Sequence, residues 1–345
     1  MKRRLSALLL ALLPLFLSAC AYAPGAATPA SVPDGELAVH FIDVGQADSA
    51  LLLCGGQAML IDGGNAQDSS RVVSYLEDQG VDTLDYVVCT HAHEDHVGGL
   101  SGPLNTCAAA QVFSPVREYD SKAFRDFVRY TEAQGLTPAA PSPDETFSLG
   151  GAVVTVLGPR RDYDDTNNTS IVLRVDFGET SFLFTGDMER DAEADLLSDG
   201  CDVSCTVLKV GHHGSSTSTS YPFLRAAMPE YAVISVGEDN SYGHPHEETL
   251  SRLYDAGCTV YRTDRLGTVV AVSDGTDVSF LTERSGSPET GRGDTSGSAY
   301  IGNRNSQVFH RETCANLPAE QNRVTFDSRE AAVSAGYRPC GGCNP

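Results

Sequence analysis

Nine histidines stand in this chain, and seven of them fall in three tight groups. The first group is Thr90-His91-Ala92-His93-Glu94-Asp95-His96. Imidazole and carboxylate at alternating positions after a strand can converge on a divalent cation. His91 and His93 lie on one side of an extended segment, while Asp95 and His96 follow where the chain turns, facing a second cation. Gly98-Gly99 let the backbone bend tightly beside them. The second group is His212-His213, on one loop before Gly214. The third is His244-Pro245-His246, where a Gly-His-Pro loop before a helix puts His244 near a sheet end. There it either ligates or donates a proton to a leaving oxygen. His246 reads as a surface residue at a helix N-terminus, and His40, at the start of a strand, as structural.

A softer ligand set lies at the far end. His310-x₃-Cys314 followed by Cys340-x₂-Cys343 is a credible tetrahedral structural zinc site. A module this small gains much of its stability from such a metal. Two disulfides are the alternative, and they would leave His310 without a role.

These residues must be held by regular elements. Val39–Asp43, Ser49–Leu53 and Ala58–Ile61 read as short strands, and Leu84–Thr90 as a buried strand running into the first His group. Asp68–Gln79 and Ser121–Gln134 read as helices, each stopped by Gly. The second half repeats the pattern. Val153–Leu157, Ile171–Phe177, Ser181–Thr185, Thr206–Val210 and Tyr231–Ser235 are strands, Glu189–Leu197 and His246–Ala256 are helices, and Val269–Val272 and Val278–Leu281 finish the sheet. Two β-rich halves with covering helices suit an α/β fold of four layers, an αββα sandwich over residues 36–284. Residues 285–298 are rich in Gly, Ser and Thr without apolar periodicity and read as a linker. A compact module, 299–345, follows.

Charge narrows the partners. Residues 36–284 carry 15 Lys and Arg against 39 Asp and Glu, so 15 − 39 = −24. Residues 299–345 carry 5 Arg against 4 acids, so 5 − 4 = +1. An acidic body disfavours tight non-specific binding of nucleic acid, although a bound divalent metal or a local basic patch offsets this at one site. Arg304, Arg311, Arg323 and Arg338 of the module are candidates for phosphate contacts. Of the ten cysteines, Cys54 and Cys89 sit in apolar runs as buried thiols, and Cys201 with Cys205 is the expected disulfide at loop spacing.

The N-terminus has a basic stretch, Lys2-Arg3-Arg4, then apolar Leu5 to Leu17, too short to span a bilayer. Leu17-Ser18-Ala19-Cys20 resembles the lipobox of bacterial lipoproteins. That resemblance implies a signal peptide over residues 1–20, a lipid on Cys20, a flexible tether over 21–35 and an exported protein anchored at the extracytoplasmic face of the cell membrane.

The first His group resembles the signature of the metallo-β-lactamase superfamily. Further segments resemble one branch, the soluble hydrolase domain of the DNA-uptake protein ComEC and its free-standing relatives. They are His40-Phe41-Ile42-Asp43-Val44-Gly45-Gln46-Ala47-Asp48-Ser49, Leu60-Ile61-Asp62-Gly63-Gly64, Phe184-Thr185-Gly186-Asp187, Leu208-Lys209-Val210-Gly211-His212-His213-Gly214-Ser215 and Tyr242-Gly243-His244-Pro245. They arrive in the family's order between residues 39 and about 281.

The resemblance implies two divalent metals, zinc or manganese. His91 and His93 would bind the first, Asp95 and His96 the second, with Asp187 bridging and either His212 or His213 completing the ligands of the second metal. Asp62, Asp43 and Asn168 would orient ligands from behind. Asp95 would also serve the activated water, and Lys209 or His244 the departing oxygen. Two departures stand out. No His lies between Val97 and Asp187, where many members supply one, and Asn167-Asn168-Thr169-Ser170 occupies that interval. Ala47 stands where the family usually has Gly. The C-terminal module resembles the metal-binding domain of the Ada DNA-repair protein, with His310 in a position usually held by Cys. Together these imply a surface-anchored phosphodiesterase or nuclease acting on DNA. The rivals are a hydrolase of a small phosphodiester or other ester, and a non-enzymatic DNA-binding surface protein. Nothing in the sequence implies a protein partner.

Overall fold

The computed structural model describes residues 35–290, 300–311, 314, 316–326 and 329–340. Cys20, Cys343, the signal peptide and most of the tether and linker lie outside the described residues.

The first half contributes β1 (Leu37–Phe41), β2 (Ala50–Cys54), β3 (Gln57–Ile61), α1 (Ser69–Asp78), β4 (Thr83–Val88), α2 (Glu94–Val97), α3 (Ser101–Thr106), β5 (Ala108–Phe113) and α4 (Lys122–Ala133). The second contributes β6 (Thr146–Leu149), β7 (Ala152–Gly158), β8 (Val172–Phe177), β9 (Thr180–Phe184), α5 (Arg190–Ser198), β10 (Val207–Lys209), α6 (Tyr221–Ala227), β11 (Tyr231–Ile234), α7 (Glu247–Asp255), β12 (Thr259–Arg262), α8 (Thr263–Leu266), β13 (Val269–Ser273), β14 (Val278–Thr282) and β15 (Glu289–Thr290). They form a seven-stranded sheet, β14-β13-β1-β2-β3-β4-β5, and an eight-stranded sheet, β15-β12-β11-β10-β9-β8-β7-β6.

Strands buried on both faces read as continuous apolar runs, and β1 and β9 are buried throughout. Phe41, Leu52, Met59 and Val88 of the first sheet pack against Val154, Leu173, Phe182 and Val207 of the second. Phe41 and Phe184 stack across the sandwich at 6.0 Å. Each such side chain contributes on the order of 2 kcal/mol by burial. On the outside, Val72 and Leu76 of α1 and Phe124 and Phe127 of α4 cover the first sheet. Leu196 of α5, Phe223 of α6 and Leu253 of α7 cover the second. The layers are therefore helix, sheet, sheet, helix.

Local signals set the element ends. The Ser121 hydroxyl caps α4 by accepting from Phe124 N at 3.1 Å, and left-handed Gly135 follows its end. The expected strands and helices all form within a few residues. Strands β5, β6, β12 and β15 and helices α2, α3, α6 and α8 were not anticipated. The expected Cys201–Cys205 disulfide is absent: both are free thiols, Cys205 being buried in the apolar cluster under α5 and α6. Among the described residues no helix is long and apolar enough to cross a membrane.

The C-terminal residues form a third, four-stranded sheet. It contains β16 (Tyr300–Asn303), β17 (Val308–Arg311), β18 (Arg323–Phe326) and β19 (Arg338–Pro339), with α9 (Arg329–Ser334).

Candidate functional site

Strand β4 delivers Thr90 to His96 to the end of the sandwich, and β9, β10 and β11 end beside it. Asp187 lies just past β9 with its carboxylate buried. Its two oxygens face different imidazoles. Oδ1 is 3.2 Å from His96 Nε2 and 3.7 Å from His213 Nε2. Oδ2 is 3.6 Å from His212 Nε2 and 4.0 Å from His91 Nε2. Asp95 Oδ2 stands 3.3 Å from His213 Nε2. Asp95, His96, Asp187 and His213 each offer a ligand atom within 4.8 Å of the others. His93 joins through Nδ1, 3.1 Å from His91 Nε2.

Four imidazoles are aimed through the opposite ring nitrogen. His91 Nδ1 meets Thr90 Oγ1 at 3.3 Å, and His96 Nδ1 meets Asp62 Oδ2 at 2.8 Å. His212 Nδ1 meets Glu189 Oε1 at 3.1 Å, and His213 Nδ1 meets the Ser235 carbonyl at 3.0 Å. Anchoring the far nitrogen is how a scaffold presents an imidazole to a metal. His96 Nε2 and Asp187 Oδ1 are both buried without a well-formed hydrogen bond. Buried polar atoms are rarely left so, because each costs its desolvation. A cation between them would satisfy both, so these residues fit a metal.

The loop carrying the second His group is strained. His212 (φ 49°, ψ 47°) and His213 (φ 51°, ψ 25°) are both left-handed, as is Asp62 (φ 57°). Such a backbone costs an L-residue roughly 1–2 kcal/mol, and strain of this kind gathers at working sites. Here it turns neighbouring rings toward opposite oxygens of Asp187. Sequence left His212 and His213 as alternatives for one shell. The structure gives them different neighbours: His213 joins Asp95 and His96, and His212 shares Asp187 Oδ2 with His91.

The electrostatics follow from that crowding. Burial opposes charge on His96, yet the carboxylates of Asp187, Asp62 and Asp95 raise its pKa well above the ordinary value. The same contest, with Asp187 and Asp48 winning over burial, puts His213 at about 10. Burial, together with His96, holds His91 well below its ordinary value. Against burial, His96 and His213 hold Asp187 well below the usual carboxylate range.

Several expectations need correcting. Lys209 does not face the opening. It is buried, with Nζ 2.7 Å from Asp48 Oδ2 and donating to the Val210 carbonyl at 2.9 Å. It stands behind His213, whose Nδ1 lies 3.3 Å from Asp48 Oδ1. Asp43 is not behind a histidine. Its carboxylate accepts from Gly45 N at 3.2 Å and from Arg284 Nη2 at 2.7 Å, tying down a loop. The buried carboxylate that neighbours His213 is Asp48, five residues on, which sequence reading passed over. Glu189 and Gln46 were also missed. Gln46 Nε2 approaches His244 Nδ1 at 3.4 Å.

Asn168 lies behind the centre: its side-chain oxygen accepts from Glu189 N at 3.0 Å. Asn167 Nδ2 donates to Glu189 Oε1 at 3.3 Å, and Ser170 Oγ accepts from Asp187 N at 3.1 Å. The Asn-Asn-Thr-Ser segment thus braces Asp187 and the carboxylate on His212. His246 is no free surface residue, since its Nδ1 accepts from Ser216 N at 2.9 Å. His244 is half-buried, and burial followed by His246, His213 and His212 lowers its pKa to about 4. It is uncharged at neutral pH, which weakens its claim to be the proton donor. Gly98-Gly99 serve close packing rather than bending, for a Cβ on Gly99 would lie 1.8 Å from the Gly63 carbonyl oxygen. Ala47 is buried and is not among the left-handed residues, so it needs no glycine. His40 bonds Tyr75 Oη at 2.8 Å, and burial lowers its pKa to about 4.

In the C-terminal sheet His310, Cys314 and Cys340 are buried and converge, with ligand atoms within 4.8 Å of one another. His310 Nδ1 is 3.4 Å from Cys314 Sγ.

Residues 42–238, more than half of the chain, match the family described as the metallo-beta-lactamase superfamily. Residues 292–345 match the metal binding domain of Ada. ComE operon protein 3 of Bacillus subtilis is 28% identical over 70% of this chain and 33% of its own length. Competence protein ComA of Neisseria gonorrhoeae is 33% identical over 69% of this chain and 33% of its own. The chain thus spans about a third of the length of these relatives. Among solved structures, the metallo-beta-lactamase fold protein YhfI from Bacillus subtilis aligns with a TM-score of 0.48 at 16% identity, over 70% of this chain and all of that one. The chain belongs to the metallo-beta-lactamase superfamily of metal-dependent hydrolases, is related to competence proteins, and carries an Ada-like metal-binding module at its C-terminus.

Proposed function

We propose that this chain is a metal-dependent phosphodiesterase acting on DNA outside the cytoplasm, tethered to the membrane through Cys20. The observation that carries the reading is the carboxylate of Asp187, whose two oxygens face separate imidazole pairs. In this reading His91, His93 and His212 would hold one divalent cation, Asp95, His96 and His213 the other, and Asp187 both. His212 then fills the place left by the absent histidine. Such a pair, when bound, supplies an acidified water and neutralises a phosphodiester's charge. The protein's own part is positioning. Asp62, Glu189, Thr90 and the Ser235 carbonyl hold the rings, Asp48 and Lys209 hold His213 from behind, and uncharged His244 lines the approach. In the C-terminal module, His310, Cys314, Cys340 and Cys343 would hold a zinc ion.

DNA as substrate is supported by the relatives, which carry the names of competence and recombination proteins. The net charge of −24 over 36–284 favours a second reading, a small phosphodiester, because a long polyanion is repelled. Assay of purified protein on DNA, bis-p-nitrophenyl phosphate and nitrocefin with Mn²⁺ and with Zn²⁺ separates the cases. Cleavage of DNA and the nitrophenyl diester, with nitrocefin intact, is expected. Cleavage of the small diester alone would favour the second reading, and no cleavage with DNA still bound would make it a binding protein. Fractionation of Cys20→Ala checks the anchor: it should be soluble, and retention on the membrane would sink that part.

A further inference from the structure

The segment Tyr242-Gly243-His244-Pro245 carries a second ring beside His244. Tyr242 is among the few large apolar side chains left in solvent, 67% exposed. Its ring lies 5.7 Å from that of His244 at an interplanar angle of 24°. His244 in turn lies 6.5 Å from His213 at 25°. Three rings, each tilted by about a quarter of a right angle from the next, therefore step from the cation-binding imidazoles to the surface.

The step is built rather than loose. Asn240 Oδ1 accepts from Tyr242 N at 3.2 Å and His244 N at 3.0 Å, while its Nδ2 donates to the carbonyls of Gly237 at 3.0 Å and His244 at 2.6 Å. Gln46 holds the same loop through Gly237 N at 3.2 Å. The backbone that carries this ring is held by Asn240, the ring stands beside His244, and two thirds of the side chain is open to solvent.

We propose that Tyr242 is the platform for a nucleobase next to the phosphodiester held at Asp187. The proposal rests on the phosphodiesterase reading and adds to it a base on the bound strand. Every base has a π-face, so one aromatic platform serves any sequence. It also suits an acidic protein, since stacking needs no positive charge from the protein.

The chain contains no tryptophan, so Tyr242→Trp installs a single indole reporter at the platform. The metal-loaded variant is titrated with dAMP and, separately, with deoxyribose 5-phosphate, which has the phosphate but no base. Quenching of the indole by dAMP and not by the sugar phosphate is expected. Tyr242→Ala should raise KM for a short oligonucleotide about 10-fold, leave kcat within about twofold, and leave KM for an abasic strand unchanged, while Tyr242→Phe restores the wild-type value. Equal response to dAMP and the sugar phosphate, or an unchanged oligonucleotide KM in Tyr242→Ala, would overturn the platform. A wild type that cleaves no phosphodiester while dAMP still quenches the variant would instead remove the phosphodiesterase reading and leave the platform standing.

Discussion

Behind the imidazoles around Asp187 stand two sheets and three apolar clusters, with Phe41 and Phe184 between the sheets and Phe124 and Phe223 outside them. Behind His310, Cys314 and Cys340, the other buried apolar side chains among the described residues are Ile301, Phe309, Pro318 and Ala332. The first ligand set is attached to a core that exists without it. The second is a large part of the core it belongs to. Donor chemistry differs in the same sense. Oxygen and nitrogen around Asp187, open on one side at partly exposed Asp95, suit a cation that must meet substrate, whereas buried sulfur and nitrogen suit one closed off from it. The two ligand sets therefore ask different things of a bound metal, chemistry beside the sandwich and folding in the tail.

The largest effects should split along that line. Asp187→Ala removes the one carboxylate shared by all four imidazoles. Activity is expected to fall by about 10³ or more, as when a central catalytic group is deleted. Circular dichroism should still report the folded sandwich. Full activity in this variant would place the active site elsewhere. Cys314→Ser should do the reverse. Structural zinc contributes on the order of 10 kcal/mol in comparable small modules, so the C-terminal sheet should become protease-sensitive while hydrolysis of bis-p-nitrophenyl phosphate stays within about twofold. A protease-resistant tail in Cys314→Ser would show that its few apolar residues suffice.

What sequence could reveal follows the same physics. The ligands of Thr90 to His96 were legible because they lie within one short stretch of chain, whereas Asp187, a single carboxylate just past β9, was legible only through the family resemblance. The division of labour between His212 and His213 was not, since it depends on two consecutive left-handed residues that no composition signals. Lys209 was assigned to the departing oxygen through the family resemblance of its segment, which does not show where the side chain lies. Only the packing of β10 between β9 and β11 reveals that it is buried against Asp48. Strand β5 escaped notice because Ala108-Ala109-Ala110-Gln111 has no alternation. Helix α6 did carry a readable signal, the Ser220 cap with Pro222 in its first turn. Cys201 and Cys205 were paired by loop spacing, which says nothing of which thiol a helix covers.

A middle-sized effect concerns protons. In the metal-free protein, His96 and His213 are raised by the carboxylates around them, His213 to about 10. A raised histidine stabilises the fold fully below its unfolded value of 6.5 and loses that contribution as pH climbs toward 10. Asp187 and Asp48 are depressed, so their contributions are present above the ordinary carboxylate value of 3.8 and are lost as pH falls below it. Burial holds His40, His91 and His244 below their ordinary value, so these three cost stability as pH falls below 6.5. The metal-free chain should therefore melt highest near pH 6.5 and lose stability toward pH 10. Bound cations need the imidazoles neutral, so loading with Zn²⁺ should release protons and abolish the alkaline decline. A metal-free melting temperature that stays flat from pH 6.5 to 10 would contradict the charged imidazoles.

The smallest effect tests whether the two regions are independent at all. Arg311, on β17 beside His310, pairs with Glu247 at the start of α7, one residue from His246. The tail therefore touches the rim of the catalytic centre through an ion pair whose side chains are 41% and 49% exposed. Pairs this wet contribute about 0–1 kcal/mol and are screened by salt. Arg311→Ala should lower the melting temperature by less than about 4 °C, because a loss of that size shifts a domain this large only slightly. Hydrolysis of a small diester should be unchanged within about twofold, since nothing around Asp187 depends on the pair. DNA cleavage is the sharper reading. If the module only folds around its zinc ion, DNA and small-diester rates should respond alike. A selective loss on DNA would mean that the tail, held in place by this pair, presents its surface to the same strand that enters the centre, and the separation of the two metals into chemistry and folding would need revision.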